Sequence, residues 1–216
     1  SFLGGAVEGR VAISGARAAS PYGTTVAAEL AGELANQERV IVAGGSYGIE
    51  GAAHQAALAA GGSTVAVLAS GLDRPYPAGH AEMLDRIGDL GLLVSEVPPG
   101  EVPTRYRFMA RTRLLAALSG TTVIPEAGPR SVSLLVPTEA RDLGRAVGAV
   151  PGPVTSAASA GTNGLIKRGV ADVVTNAQEV TALLDKPEGP GRHRPDIGHQ
   201  LDTPAPATSA PAGPRL

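Results

Sequence analysis

The chain has 216 residues, of which 43% are hydrophobic and 18% charged, enough apolar material for one large core. No apolar run approaches the ~20 residues of a membrane span and no basic-then-apolar leader is visible, so we expect a cytoplasmic protein outside the membrane. The absence of cysteine excludes disulfides and thiolate chemistry, and a net charge of −2 means that polyanion binding would need a local basic cluster.

Short β-branched runs alternate with alanine-rich helical stretches between residues 11 and 184. Strands are predicted over 11–14, 39–43, 64–69, 92–95, 121–125, 146–150 and 171–175. Helices are predicted over 22–36, 48–60, 81–90, 108–118, 131–143, 161–168 and 177–184. Such continuous apolar strands alternating with helices predict a doubly wound, mostly parallel α/β sheet, an extended Rossmann-like fold. Ser20 and Pro21 mark a helix start, whereas Pro137 inside the fifth predicted helix indicates a kink or an earlier end.

The composition changes at Lys186, after which proline, glycine, alanine and small polar residues dominate. Such a segment cannot bury enough surface to offset its ordering entropy. We therefore predict a Rossmann-like domain over residues 1–185 and a Pro/Ala-rich disordered tail over 186–216.

Two glycine-containing loops follow predicted strands at the edge where such sheets bind ligands. The candidate residues are Gly44, Gly45, Ser46, Tyr47 and Gly48 after the second strand, and Ser159, Gly161, Thr162 and Asn163 after the sixth. Glycine lets the backbone approach an anion at a helix N-terminus, although glycines at such turns serve equally often for tight packing.

The usual cofactor motifs are missing from these loops. The first loop is not G-x-G-x-x-G, which disfavours a dinucleotide, and the absence of G-x-x-x-x-G-K-[ST] excludes a P-loop. The four histidines are too scattered to suggest a metal site. We expect no cofactor and no metal.

Residues 105–113 hold four arginines and no acidic residue: Arg105, Arg107, Arg111 and Arg113. Arg107 and Arg111 are four residues apart on a predicted helix, so they would share a face and could hold adjacent phosphates. The competing interpretation is a solvated basic face whose arginines pair with acids elsewhere.

Aromatic residues are rare and also concentrate at the predicted strand ends. Five of the six lie there: Tyr22, Tyr47, Tyr76, Tyr106 and Phe108. Rings beside arginines suit stacking of bases next to bound phosphates, although rings also cap the periphery of aliphatic cores.

Catalytic constellations are poor. His54 lies four residues after Glu50 and could form an acid–base pair, but packing of the helix is favoured. Glu126 is the best isolated carboxylate for acid–base chemistry, and no G-x-S-x-G elbow is present.

Taken in order, these segments resemble the DNA-processing protein A (DprA/Smf) family, in its actinobacterial form. The resemblance spans 11–184 and is carried by VAISGAR at 11–17, GGSYGIEGAAH at 44–54, GLD at 71–73, F-x-x-R-T-R at 108–113 and SAGTNGLI at 159–166. It implies a non-enzymatic, homodimeric single-stranded DNA-binding protein of natural transformation that protects DNA and loads the RecA recombinase. The family's DNA pocket would use Arg17, the glycine-rich loop, Phe108, Arg111 and Arg113.

The chain departs from the family pattern at Tyr47, Thr112 and Val132. Two alternatives stay open: a nucleotide-binding sensor domain, and a phosphoribohydrolase-like enzyme, whose P-G-G-x-G-T-x-x-E signature is absent. We expect alanine at Arg17, Arg111 or Arg113 to weaken binding of single-stranded DNA with little loss of stability.

Overall fold

The computed structural model describes residues 7–185, so the predicted tail at 186–216 lies outside the described residues. Seven strands form one sheet in the order β4-β3-β2-β1-β5-β6-β7, and every neighbouring pair is parallel. The strands are β1 Arg10–Ile13, β2 Val40–Gly44, β3 Thr64–Val67, β4 Leu92–Val94, β5 Thr121–Ile124, β6 Ala146–Ala149 and β7 Asp172–Val173. All seven predicted strands are found, and the predicted doubly wound fold is confirmed.

Helices cover both faces of this sheet. They are α1 Pro21–Asn36, α2 Ile49–Ala59, α3 Ala81–Leu90, α4 Arg105–Ala110, α5 Thr112–Ala117, α6 Leu135–Asp142, α7 Ala160–Lys167 and α8 Ala177–Leu184. On one face, β-strand residues such as Ile13 and Ile41 pack with α1, α2 and α8. On the other, residues such as Val42 and Ile124 pack with α5, α6 and α7. Alternate strand residues therefore enter opposite layers, which is why the strands read as continuous apolar runs.

Helix α1 starts where its sequence predicts. The Ser20 side chain accepts a hydrogen bond from the Gly23 N–H, and Pro21 occupies the first helical position, where no N–H is needed.

Two other helices differ from the prediction. The helix predicted over 108–118 is two short helices that meet at Arg111, and α4 already begins at Arg105 because Thr104 caps it by accepting from the Arg107 N–H. The helix predicted over 131–143 begins only at Leu135. Pro137 consequently lies in the first turn, where its missing N–H costs nothing, and the predicted kink or early end is wrong.

β1 and β5 are neighbours at the point where the strand order reverses, with β2, β3 and β4 on one side and β6 and β7 on the other. From β1 the chain proceeds to β2 on one side, and from β5 to β6 on the other. Connections that leave in opposite directions open a crevice at the carboxyl ends of such strands, and ligands of doubly wound sheets bind there. Within residues 7–185, no helix is long and apolar enough to cross a bilayer.

Candidate functional site

A cavity of about 500 Å³ opens at this crevice. We call it the edge cleft. Its walls come from the loops after β1, β2, β3, β4 and β5 and from α2, α4 and α5. They include Ser14, Gly15, Arg17, Ser46, Glu50, Tyr76, Thr104, Arg105, Phe108, Arg111, Arg130, Ser131 and Ser133.

Three arginines at the cleft have no acidic partner among residues 7–185. Arg17, Arg105 and Arg130 are all exposed, and none of them belongs to an ion pair with another residue of the described range 7–185. They come from three separate parts of the chain that the fold brings to one cavity. Their charges are therefore available to an anionic ligand.

The wall between these charges is aromatic. The guanidinium carbon of Arg17 lies 5.5 Å from the centroid of the Phe108 ring, and that of Arg111 lies 5.2 Å from the same centroid. Tyr76 meets Phe108 edge to face, with ring centroids 6.0 Å apart. Phe108 therefore has two guanidinium groups within cation–π distance of its ring at the lining of the cleft.

Beneath this wall, Arg111 and Glu50 form a buried ion pair. Arg111 is only 7% exposed. Its Nη2 donates to both carboxylate oxygens of Glu50 at 3.1 and 3.0 Å, and its Nη1 donates to the Val67 carbonyl at 3.1 Å. The Ser14 hydroxyl and the Ser46 N–H also donate to Glu50, at 2.9 and 3.2 Å. One pair therefore ties together the ends of β1, β2 and β3 and the junction of α4 with α5.

The ionic state of this pair follows from its surroundings. Burial acts to raise the pKa of Glu50, but Arg111 and the donors Ser14 and Ser46 outweigh it and hold that pKa below its ordinary value of 4.5. Removing the guanidinium would leave a buried charge without its counterion. The buried pair argues against the expectation that alanine at Arg111 leaves stability nearly unchanged, and we expect a loss of stability instead.

The other two predicted arginines lie outside the edge cleft. Arg107 donates to Glu101 at 2.7 Å, and Arg113 donates to Glu96 at the surface. Arg107 and Arg111 do line one cavity on the outer side of α4, but their guanidinium groups are engaged differently, since Arg111 is buried against Glu50 and Arg107 pairs with Glu101 nearer the surface.

The glycine loop after β2 serves mainly for close packing. A Cβ on Gly44 would collide with the Arg111 guanidinium, and Gly48 has a φ of +76° and abuts the carbonyls of Ala16 and Arg17. Only a residue without a side chain fits either position. Of this predicted set, the structure places Ser46 in the cleft lining.

Gly45 and Tyr47 complete that loop without lining the cleft. Gly45 is buried, and its carbonyl lies 2.9 Å from Nδ1 of His80. The exposed Tyr47 ring meets the His80 ring edge to face, with centroids 4.6 Å apart.

The predicted residues after β6 brace two loops to one another. The Thr162 hydroxyl donates to the Ser159 carbonyl at 3.0 Å, and the Gly161 N–H donates to the Ala127 carbonyl at 2.8 Å. The Asn163 amide donates to the Gly152 carbonyl at 3.0 Å and accepts from the Gly152 N–H at 3.1 Å. The structure brings these four residues together with one another and not with the lining of the edge cleft.

The two candidates for acid–base chemistry are built into the framework. His54 is fully buried, with Nδ1 2.7 Å from the Thr64 hydroxyl and Nε2 3.1 Å from the Gly44 carbonyl, and burial lowers its pKa to about 4. Glu126 is also buried and accepts from the N–H and the hydroxyl of Ser20 at 2.7 and 2.6 Å, which anchors the start of α1. Neither side chain lines the edge cleft.

Sequence reasoning missed Arg130, Ser131, Ser133 and Thr104 as cleft residues. A single arginine in a loop gives no local signal, and the adjacency of β1 and β5 brings Arg130 to the cavity that Arg17 also lines. Among the described residues 7–185 there is no group of three His, Cys, Asp or Glu side chains that could hold a metal ion.

The protein has a doubly wound parallel sheet with an arginine-lined cleft where β1 and β5 are neighbours. These features define its class as a Rossmann-like domain whose ligand-binding edge is positively charged. The family described as DNA recombination-mediator protein A matches residues 5–185. The chain belongs to this family, as its sequence predicts.

Curated relatives agree with the family match. A Mycobacterium tuberculosis H37Rv protein, provisionally named DNA processing protein DprA, is 52% identical over 173 residues, which cover 80% of this chain and 44% of the relative. DNA processing protein DprA of Streptococcus pneumoniae R6 is 42% identical over 176 residues, covering 82% of this chain and 62% of that protein. The chain thus spans roughly half the length of these relatives.

Solved structures give the same fold. DNA processing protein A from S. pneumoniae matches with a TM-score of 0.74 and 39% identity over 80% of this chain and 60% of that one. The protein from Helicobacter pylori, described for its single-stranded DNA binding mode, matches with a TM-score of 0.74 and 32% identity over 81% and 79%. A molybdenum cofactor binding protein from Rippkaea orientalis matches with a TM-score of 0.58 at 16% identity, a likeness of fold alone.

Proposed function

We propose that the edge cleft binds single-stranded DNA and that the protein acts in DNA processing by binding, without catalysing a reaction. The observation that carries this proposal is the convergence on one cavity of Arg17, Arg105 and Arg130, none of which forms an ion pair with another of the residues 7–185. Residues 1–185 hold 14 basic and 17 acidic side chains, so this cationic site is a local exception. Local positive charge in a concave site attracts polyanions even when the whole protein does not.

The aromatic wall favours a single strand as the ligand. Phe108 and Tyr76 line the same cavity as the arginines, and a base that is free of a duplex can reach such rings. Stacking and phosphate contacts carry little base information, so the proposal implies weak sequence preference. The relative from H. pylori, described for its single-stranded DNA binding mode, supports the same ligand class.

The finer roles that the family resemblance implies are part of the proposal. In this account the domain over residues 1–185 is a cytoplasmic homodimer that protects single-stranded DNA during natural transformation and passes it to RecA. Equilibrium sedimentation tests the dimer. A strand-exchange assay with RecA, started on strands already coated by a single-strand binding protein, tests the transfer.

Binding of labelled oligothymidylate over a salt series tests the central proposal. We expect tight binding whose logarithm falls with the logarithm of salt concentration by about 0.7 for each phosphate neutralised. Affinity that is insensitive to salt, or equal for a mononucleotide and a strand of about twenty nucleotides, would overturn it.

The same protein separates the two alternatives. A mononucleotide that raises the melting temperature when DNA does not would indicate a nucleotide sensor, and release of free base from AMP would indicate a phosphoribohydrolase-like enzyme.

A further inference from the structure

A second cavity lies across α4 from the edge cleft. It has a volume of about 250 Å³, and its apolar lining includes Leu68, Val97, Pro98, Tyr106, Ala110 and Leu114. We call it the outer groove. Arg105 and Phe108 of α4 line the edge cleft, whereas Tyr106 and Ala110 of the same helix line the outer groove. The two cavities are therefore separated by one short helix, a ridge about 10 Å across.

Tyr106 stands at the margin of this groove with 79% of its surface exposed. The other three tyrosines are 40–49% exposed. An exposed ring beside a small apolar cavity offers one face for stacking, which any base can use.

Two arginines that line the outer groove form surface ion pairs whose carboxylates a ligand could replace. Arg107 pairs with Glu101 and Arg113 with Glu96, and both pairs lie at the surface, with side chains 26–55% exposed. Exposed ion pairs contribute little free energy. A phosphate can therefore take the place of either carboxylate at small cost.

We propose that the outer groove is a second subsite for single-stranded DNA, reached by the strand that occupies the edge cleft; this rests on the proposed function of that cleft. The strand crosses α4 at Arg105 and stacks a base on Tyr106 over the apolar floor. Arg107 and Arg113 exchange their carboxylate partners for backbone phosphates. The site then holds a longer stretch of DNA than the edge cleft alone.

Three observations favour a nucleic acid over a protein segment as the occupant. The groove adjoins the cleft through the shared Arg111, arginines line both cavities, and the volume suits a flat ring and not a packed helix. A protein partner or a second copy of the chain would instead leave DNA affinity independent of Tyr106.

Fluorescence anisotropy with two oligothymidylates, of about four and about twenty nucleotides, tests the proposal. Tyr106→Ala is expected to weaken binding of the longer strand by roughly 5- to 100-fold and to leave the shorter strand unchanged, because the edge cleft alone holds the latter. Tyr106→Phe keeps the ring and is expected to bind like the parent. Glu96→Gln combined with Glu101→Gln frees both arginines and is expected to tighten the longer strand only.

Equal affinity of Tyr106→Ala and the parent for the longer strand would overturn the second subsite, as would equal losses for both strands. Arg17→Ala separates this failure from failure of the edge cleft. If Arg17→Ala weakens binding of the shorter strand while Tyr106→Ala weakens binding of neither strand, only the proposed subsite in the outer groove is wrong. If the parent binds neither strand in a salt-dependent way, the edge cleft is wrong.

Discussion

Breaking the buried ion pair between Arg111 and Glu50 should primarily reduce the stability of the fold, and only secondarily the affinity for single-stranded DNA. In Arg111→Ala, Glu50 keeps its Ser14 and Ser46 donors but loses its counterion while only 3% exposed. Removing one partner of a buried pair typically destabilises by roughly 3–5 kcal/mol. For a domain of this size that lowers the melting temperature by on the order of 10 °C.

Urea unfolding followed by circular dichroism measures this loss, with Arg17→Ala as the matched control. Arg17 is exposed, has no carboxylate partner in the described part of the chain and loses only its contact with the Phe108 ring, so its replacement should leave the free energy of unfolding within about 1 kcal/mol of the parent. The double variant Arg111→Met with Glu50→Gln removes both charges and should recover part of the loss.

A stable Arg111→Ala would refute this reasoning. If its free energy of unfolding stays within about 1 kcal/mol of the parent while its affinity for single-stranded DNA falls as far as that of Arg17→Ala, the guanidinium faces the ligand and not Glu50.

Three further results are expected. Arg130→Ala should weaken binding of single-stranded DNA by roughly 10- to 100-fold and leave the melting temperature unchanged. The control Arg141→Ala, at an exposed position on α6, should change neither quantity. Equal effects of the two substitutions would show that Arg130 is not part of the site. Because burial lowers the pKa of His54 from 6.5 to about 4, the unfolded chain takes up this proton first on acidification. The contribution of His54 to the free energy of unfolding should then be constant above pH 6.5 and should fall by on the order of 3 kcal/mol towards pH 4. Urea titrations at several pH values, on the parent and on His54→Gln, measure this contribution. A flat pH profile in the parent would contradict burial of a neutral imidazole. Gly48→Ala should destabilise by more than about 1 kcal/mol in the same assay, since its φ is +76° and two carbonyls occupy the space of a Cβ; an unchanged midpoint would contradict that packing.

The fold could be predicted from sequence because its signals are local. Apolar runs such as that of β2 and the Ser20 cap each mark an element without reference to the rest of the chain. The errors lie where a second local signal competes: Thr104 starts α4 earlier than the apolar pattern indicates, and α6 starts later, so that Pro137 falls in its first turn.

The candidate site was harder to predict because its geometry is set by long-range contacts. Helical spacing places Arg107 and Arg111 near each other, but only the position of Glu50, 61 residues away along the chain, turns Arg111 inward. Arg130 reaches the cleft solely because β5 lies beside β1. The glycines at 44 and 48 illustrate the same limit, since tight packing and anion binding use the same residue type.

The salt dependence of single-stranded DNA affinity, compared between the parent and the variant Arg17→Ala/Arg105→Ala/Arg130→Ala, tests the edge cleft most directly. Each phosphate contact contributes about 0.7 to the slope of log affinity against log salt, so loss of three contacts should reduce the magnitude of the slope by about 2. The variant should also unfold at the temperature of the parent. A slope that is the same in both proteins would contradict the account, because the three arginines would then neutralise no phosphate.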